Sequence, residues 1–232
     1  DVKGLQIKEG RKTFFWSGKY HNNMNSRDTL KTELNVLEDF DPIVPKQYTK
    51  SEFLMLGNLM PSVQKRVLEQ MQERPKLIVL DTMNFWMDNF MLDLKEALKN
   101  TDVLTINDDE ARQLSGEYSL LIAAKKILTM GPKYLIIKKG EHGAILFGED
   151  KMFYSPAVML ENVIDPTGAG DSFAGGFIGY LLKTKEITFD NMKKAVVYGT
   201  VLASFTVEKL GIESIENIEE EKVNKRLAEI RS

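Results

Sequence analysis

Between residues 53 and 140 the chain repeats one pattern: a short apolar run that stops on a polar residue or glycine, then a longer amphipathic stretch. Phe53-Leu54-Met55-Leu56 stops at Gly57-Asn58, and Leu77-Ile78-Val79-Leu80 at Asp81. Val103-Leu104-Thr105-Ile106 stops at Asn107, and Tyr134-Leu135-Ile136-Ile137 at Lys138-Lys139-Gly140. Apolar runs of this length without alternation are strands buried on both faces, and the segments between them are long enough for crossover helices. Such a chain is confined to an α/β architecture with a largely parallel, covered sheet. Ala144-Ile145-Leu146-Phe147 and Met152-Phe153-Tyr154 flank Gly148-Glu149-Asp150, the pattern of an antiparallel hairpin. Helices are expected at 172–183 and 188–207, with a charged surface helix from Asn217.

Residues 1–40 obey a different rule. Leu5, Ile7 and Thr13-Phe14-Phe15-Trp16 flank Glu9-Gly10-Arg11, which predicts a hairpin at that glycine. Leu30, Thr32, Leu34 and Val36 alternate with Lys31, Glu33 and Asn35, which predicts a strand with one wet face. The reading is a small antiparallel sheet over residues 1–40 and an α/β core over 41–232.

In open α/β sheets, ligands bind beyond the carboxyl ends of the strands. Asn58, Asp81, Asn107, Lys139 and Asp165 are expected at such ends, the last after Val163-Ile164, read as the close of another buried strand. Asp165-Pro166-Thr167-Gly168-Ala169-Gly170-Asp171 then opens a small-residue helix. A glycine turn at a helix N-terminus aims unpaired N–H groups and the positive end of the helix dipole at one point, which makes an anion site. A carboxylate there would repel phosphate unless it had a task, so Asp171 reads as a base beside a phosphate cradle.

Two other motifs allow two readings each. Asn107 and Glu110 are three residues apart at a helix start; they could order a hydrated Mg²⁺, or serve only as a capping box. Lys139-Gly140-Glu141-His142-Gly143 could lie along a nucleotide, or be a plain turn between strands. His21 and His142 read as loop residues, and Trp86, Met83, Met87 and Met91 as packing. Neither GxxxxGK[ST] nor a helix-opening GxGxxG is present, which disfavours a P-loop enzyme or a dinucleotide-dependent dehydrogenase.

Composition narrows the function classes. A net charge of -3 offers no basic field for nucleic acid, and the absence of cysteine removes disulfides and thiolate chemistry. No apolar run reaches the ~20 residues of a membrane span. The expectation is a soluble cytoplasmic protein acting on a small molecule.

Asp165 to Ile178, DPTGAGDSFAGGFI, resembles the C-terminal signature of the ribokinase-like (PfkB-type) carbohydrate kinases. Asn107 and Glu110 fit that family's NxxE motif, Lys139 to Gly143 its KxGxxG turn, and Ala203 to Ser214 its late adenine and cation segment. The resemblance implies a ribokinase-like three-layer α/β sandwich with a largely parallel central sheet. Residues 1–40 would be its β-sheet lid, a substrate cover and a surface for a homodimer. The opening half-domain of the family pattern is not in this sequence. The implied activity is ATP-dependent phosphorylation of a hydroxyl on a sugar or related alcohol. Alternatives are a nucleoside kinase of the same fold, or a relative that binds without catalysis. Implied roles follow by position: Asp171 as base, with Gly168, Ala169 and Gly170 as the anion hole. Lys139, Gly140, Gly143, Thr167 and Ala203 would line the nucleotide. Asn107 and Glu110 would order Mg²⁺, and Asp165 with Thr167 would lie near a K⁺ ion.

Overall fold

The computed structural model describes residues 1–231. The chain opens with a two-stranded antiparallel sheet, β1 (Phe15–Tyr20) and β2 (Arg27–Glu33). The core begins with β3 (Phe53–Leu56), α1 (Pro61–Glu69) and β4 (Leu77–Asp81). It continues through α2 (Asn84–Asn89), α3 (Met91–Leu98), β5 (Val103–Asn107), α4 (Asp108–Ser115), α5 (Leu120–Leu128) and β6 (Tyr134–Lys138). The hairpin β7 (Ala144–Gly148) and β8 (Lys151–Ser155) follows, then α6 (Ala169–Thr184), α7 (Phe189–Thr206) and α8 (Glu220–Arg231). The core sheet has the order β3-β4-β5-β6-β7-β8, parallel through β6 and antiparallel from there.

Strand alternation splits the core into two layers. Ile78, Leu80, Leu104, Ile106, Leu135 and Ile137 pack against α3, α4 and α5 through Leu94, Leu98, Leu114 and Ile127. Leu77, Val79, Val103 and Ile136 pack on the other side against Phe173, Phe177 and Leu181 of α6 and Met192 and Val196 of α7. Most of these side chains are fully buried, each contributing roughly 1.5–3 kcal/mol of apolar transfer. The result is the three-layer α/β/α sandwich that the sequence pattern demanded.

Helices α6 and α7 touch through glycine. A Cβ on Gly176 would stand 3.1 Å from the Gly199 Cα, and one on Gly199 would stand 2.6 Å from the Phe173 carbonyl oxygen. That close approach fixes α6, and with it the loop that opens it, against the sheet.

Three expectations fail. Glu9-Gly10 makes a turn, with Gly10 at φ +72, but no strand flanks it; the hairpin turn lies at 21–26 instead. Leu5 and Ile7 are 68% and 78% exposed, so nothing supplies the buried face a strand there would need. The second strand spans Arg27–Glu33 rather than 30–36, because Asn35 turns left-handed at φ +50 and donates from Nδ2 to the Thr13 carbonyl. Val163-Ile164 forms no strand: both are exposed, and Ile164 N–H donates to the Val207 carbonyl at the end of α7. Asp165 therefore sits in a loop and not at a strand end.

Candidate active site

A cavity of about 930 Å³ opens at the carboxyl ends of β3 to β6. Asn58, Asp81, Asn107 and Lys138 reach it from successive strand ends, and Gly168 to Asp171 reach it from the start of α6. The β1–β2 sheet forms its roof through Trp16, Tyr20 and Arg27. The floor is tied beneath by Trp86, whose indole N–H donates to Asn58 Oδ1 at 2.7 Å.

At the end of β4, Asp81 is 5% exposed. Its Oδ1 accepts from the Thr82 N–H at 3.0 Å and from Lys138 Nζ at 3.3 Å. Beside it, Asn107 and Glu110 form a reciprocal cap on α4: Asn107 Oδ1 accepts from the Glu110 N–H at 2.8 Å, and Glu110 Oε2 accepts from the Asn107 N–H at 2.7 Å. The capping reading of this pair is therefore realised, and it does not exhaust the pair. Glu110 is 4% exposed, and burial pushes its carboxyl up to about 7, against the pull of Lys138. The cap uses only Oε2, so the second carboxyl oxygen of Glu110 is left as a hard donor that a cation could use. No cluster of three or more acidic or histidine groups exists among the described residues, so an all-protein metal cage is not formed. Mg²⁺ suits such a site, because it is usually held by one or two carboxylates together with water and phosphate.

The turn into α6 is built on Gly168, at φ +82, a conformation that favours glycine. Ala169 N–H donates to the Pro166 carbonyl at 3.1 Å, so of the three amides expected in the anion hole this one is already engaged. Gly170 and Asp171 lie in the first helical turn, where N–H groups have no partner within the helix. The Asp171 carboxylate opens to the cavity. Its pKa is held above the ordinary range by the surrounding protein and then by the charge of Asp81, while Lys138 pulls it down.

The roof is fastened to the turns below it. Tyr20 Oη lies 3.2 Å from Thr167 Oγ1. Asn25, in the hairpin turn, donates from Nδ2 to Glu141 Oε1 at 2.7 Å and accepts from the Glu141 N–H at 3.3 Å. Gly140, at φ +54, leaves no room for a side chain beneath Asn25 Oδ1. Trp16 is fixed across Gly18, with the Arg27 guanidinium 5.5 Å from its ring.

Of the residues singled out by sequence, Asn107, Glu110, Gly140, Gly143, Thr167, Gly168, Ala169, Gly170, Asp171 and Ala203 all line this cavity. Lys139 and Asp165 do not. Lys139 closes the turn with its backbone, donating its N–H to the Gly143 carbonyl, and Asp165 Oδ1 accepts from the Thr167 N–H. The lysine that enters the cavity is its neighbour, Lys138, which sequence reasoning passed over. Spacing carried the signal, because KxGxxG takes six residues and fits Lys138 to Gly143; parity agrees, with Ile136 packed against α6 and α7, Ile137 against the opposite layer, and β6 ending on Lys138 beside Asn107.

Comparison with known proteins bears on the family and the fold. Residues 6–218 match the model of the pfkB family carbohydrate kinases. A cytidine kinase of Thermococcus kodakarensis is 27% identical over 186 residues, which is 78% of this chain and 65% of that protein. The nucleoside kinase of Methanocaldococcus jannaschii superposes with a TM-score of 0.72 at 22% identity, covering 95% of this chain and 70% of the other. The aminoimidazole riboside kinase of Salmonella enterica, solved with its riboside and an ATP analog, gives 0.64 at 20% identity over 77% of this chain and 63% of the other. The chain thus spans just under two thirds of the cytidine kinase it matches. The chain belongs to the PfkB family of carbohydrate kinases.

Proposed function

We propose that this protein transfers the terminal phosphoryl group of ATP to a hydroxyl of a sugar or a nucleoside. The observation that carries the reading is Asp171: a carboxylate held in a glycine cradle at a helix N-terminus, with its pKa above the ordinary range, at the mouth of a cavity ringed by strand-end polar groups. Phosphoryl transfer asks a protein for position and charge neutralisation more than for covalent chemistry. Asp171 takes the proton of the acceptor hydroxyl as that oxygen bonds to phosphorus. The N–H groups of Gly168 and Gly170, with the dipole of α6, receive the phosphate oxygens. Gly140, Gly143, Thr167 and Ala203 line the nucleotide, with Lys139 holding the Gly140 turn in shape.

Glu110, through the oxygen its cap leaves over, and Asn107 would hold Mg²⁺ with its waters, and the ion would supply charge neutralisation at the phosphates. Asp165 and the Thr167 segment would hold K⁺ behind the cradle and stiffen it. The acceptor is a sugar or a nucleoside: the family name supports the first, and the kinases similar to this chain support the second.

The test is ADP release from ATP and Mg²⁺ over a panel of pentoses, hexoses and nucleosides. Turnover with at least one acceptor, above the rate with water alone, is expected. Release indistinguishable from background across the panel, with nucleotide binding intact, contradicts the reading.

A further inference from the structure

Helix α8 lies beyond residues 6–218, the stretch that the family model matches, and one of its side chains grips the wall of the cavity. The Arg226 side chain is 17% exposed and is engaged on three sides. Its Nη1 donates to Ser204 Oγ at 2.9 Å and its Nη2 to Glu208 Oε2 at 2.7 Å, while the guanidinium carbon stands 3.6 Å from the Phe205 ring centroid. All three partners belong to the end of α7. That end carries an electrostatic fault: its last turn has no basic residue, and Glu208 sets a negative charge beside the negative pole of the helix dipole. Arg226 brings from another helix the cation that α7 lacks. A planar guanidinium can span a hydroxyl and a carboxylate while stacking on a ring, which an ammonium cannot do.

The loop of the anion cradle hangs on this same end. The Val207 carbonyl accepts from the Ile164 N–H at 2.8 Å and from the Asp165 N–H at 3.3 Å. Asp165 Oδ1 in turn holds the Thr167 N–H at 2.9 Å, one residue before Gly168. Thr206 Oγ1 donates to Ser172 Oγ at 2.7 Å, next to Asp171. Ala203, Ser204 and Val207 themselves line the cavity.

Resting on the kinase reading above, we propose that Arg226 is a positioning residue for the nucleotide. By holding the end of α7 it sets the wall formed by Ala203, Ser204 and Val207, and with it the loop that carries Gly168 to Asp171. It acts through these groups and touches neither substrate nor the reacting atoms. Without the guanidinium, Glu208 stands uncompensated at the helix pole and the last turn of α7 frays. Ile164 and Asp165 then lose the carbonyl that holds them. The acceptor side of the cavity, under the β1–β2 roof, does not depend on this contact.

The test measures ATP binding by calorimetry, and hydrogen exchange of the Ile164 and Asp165 amides by NMR, on the purified chain and its variants. Arg226→Met should weaken ATP by roughly fivefold or more, the scale on which a residue remote from the ligand modulates its binding. Exchange at Ile164 and Asp165 should speed up by a similar factor, with the amides of β5 unchanged. Adding Glu208→Gln removes the uncompensated charge and should recover part of both losses. Val223→Ala thins the packing between α8 and α7 and keeps the guanidinium. It should lower the melting temperature while ATP affinity stays within about twofold of wild type. If Arg226→Met fails to fold, Arg226→Lys keeps the charge without the fork and should show a smaller loss of the same kind. Unchanged exchange at Ile164 and Asp165 in the folded variant overturns the proposal, and so does an equal loss of ATP affinity in Val223→Ala. The selective changes in a chain whose wild type releases no ADP with any acceptor would instead uphold Arg226 and sink the kinase reading. Where turnover is measurable, Arg226→Met should raise the KM for ATP and leave the acceptor KM within about twofold, a split that general loss of structure would not produce.

Discussion

Glu110 concentrates the physical conflict of the site in one side chain. It caps α4, lies almost wholly buried, and has its carboxyl pushed up to about 7 from an ordinary 4.5. A carboxyl whose pKa is raised in the folded state favours folding while protonated. That contribution is complete below 4.5 and is lost as pH rises through about 7. The span corresponds to about 3 kcal/mol. Glu110→Gln keeps an acceptor for the Asn107 N–H and removes the titration. In metal-free buffer the variant should therefore gain thermal stability relative to wild type as pH is raised from 4.5 to 7. Melting curves for the two proteins that stay parallel over that interval would show that the carboxylate is not strained by burial.

At the scale of elements, the site is positioned by how closely α6 and α7 approach. The pair meets at Gly176 and Gly199, and the closest obstacle is backbone, the Phe173 carbonyl, which has little freedom to yield. Gly199→Ala should cost roughly 1–3 kcal/mol as an overpacked core contact, seen as a lowered denaturation midpoint with unchanged slope. Stability equal to wild type would mean that the helices are not in contact there.

The core strands were legible because their apolar runs can satisfy only one environment, a covered sheet. The amino-terminal hairpin was misplaced because a glycine turn is a local signal, whereas pairing depends on a partner face. β1 and β2 find theirs around the register shift at Ser17/Gly18, with Trp16 lying across Gly18. Val163-Ile164 misled for the same reason: two apolar residues mark a strand only where a neighbour can pair with them.

For the whole molecule, the glycine cradle, the Asn107/Glu110 pair and the Gly140–Gly143 turn were readable because each is a contiguous motif. What was not readable is how the strands bring distant residues together. Asp81 and Lys138 are 57 positions apart and share an ion pair only because β4 and β6 run parallel on either side of β5 and end at the same edge of the sheet. Of two adjacent lysines, the one that enters the cavity is Lys138, the last residue of β6 and the one at KxGxxG spacing from Gly140 and Gly143. The roof is a further long-range feature: Asn25 meets Glu141 across 116 positions, and no local pattern announces that contact.

The central claim is that Asp171 is the base of a phosphoryl transfer carried out in this cavity. Asp171→Asn keeps the size and most hydrogen-bonding capacity of the side chain while removing its affinity for a proton. Measured with saturating ATP, Mg²⁺ and the best acceptor of the panel, kcat should fall by at least ~10²-fold, the scale of general-base catalysis. ATP affinity should stay within a few-fold of wild type. A variant that turns over at close to the wild-type rate would contradict the account.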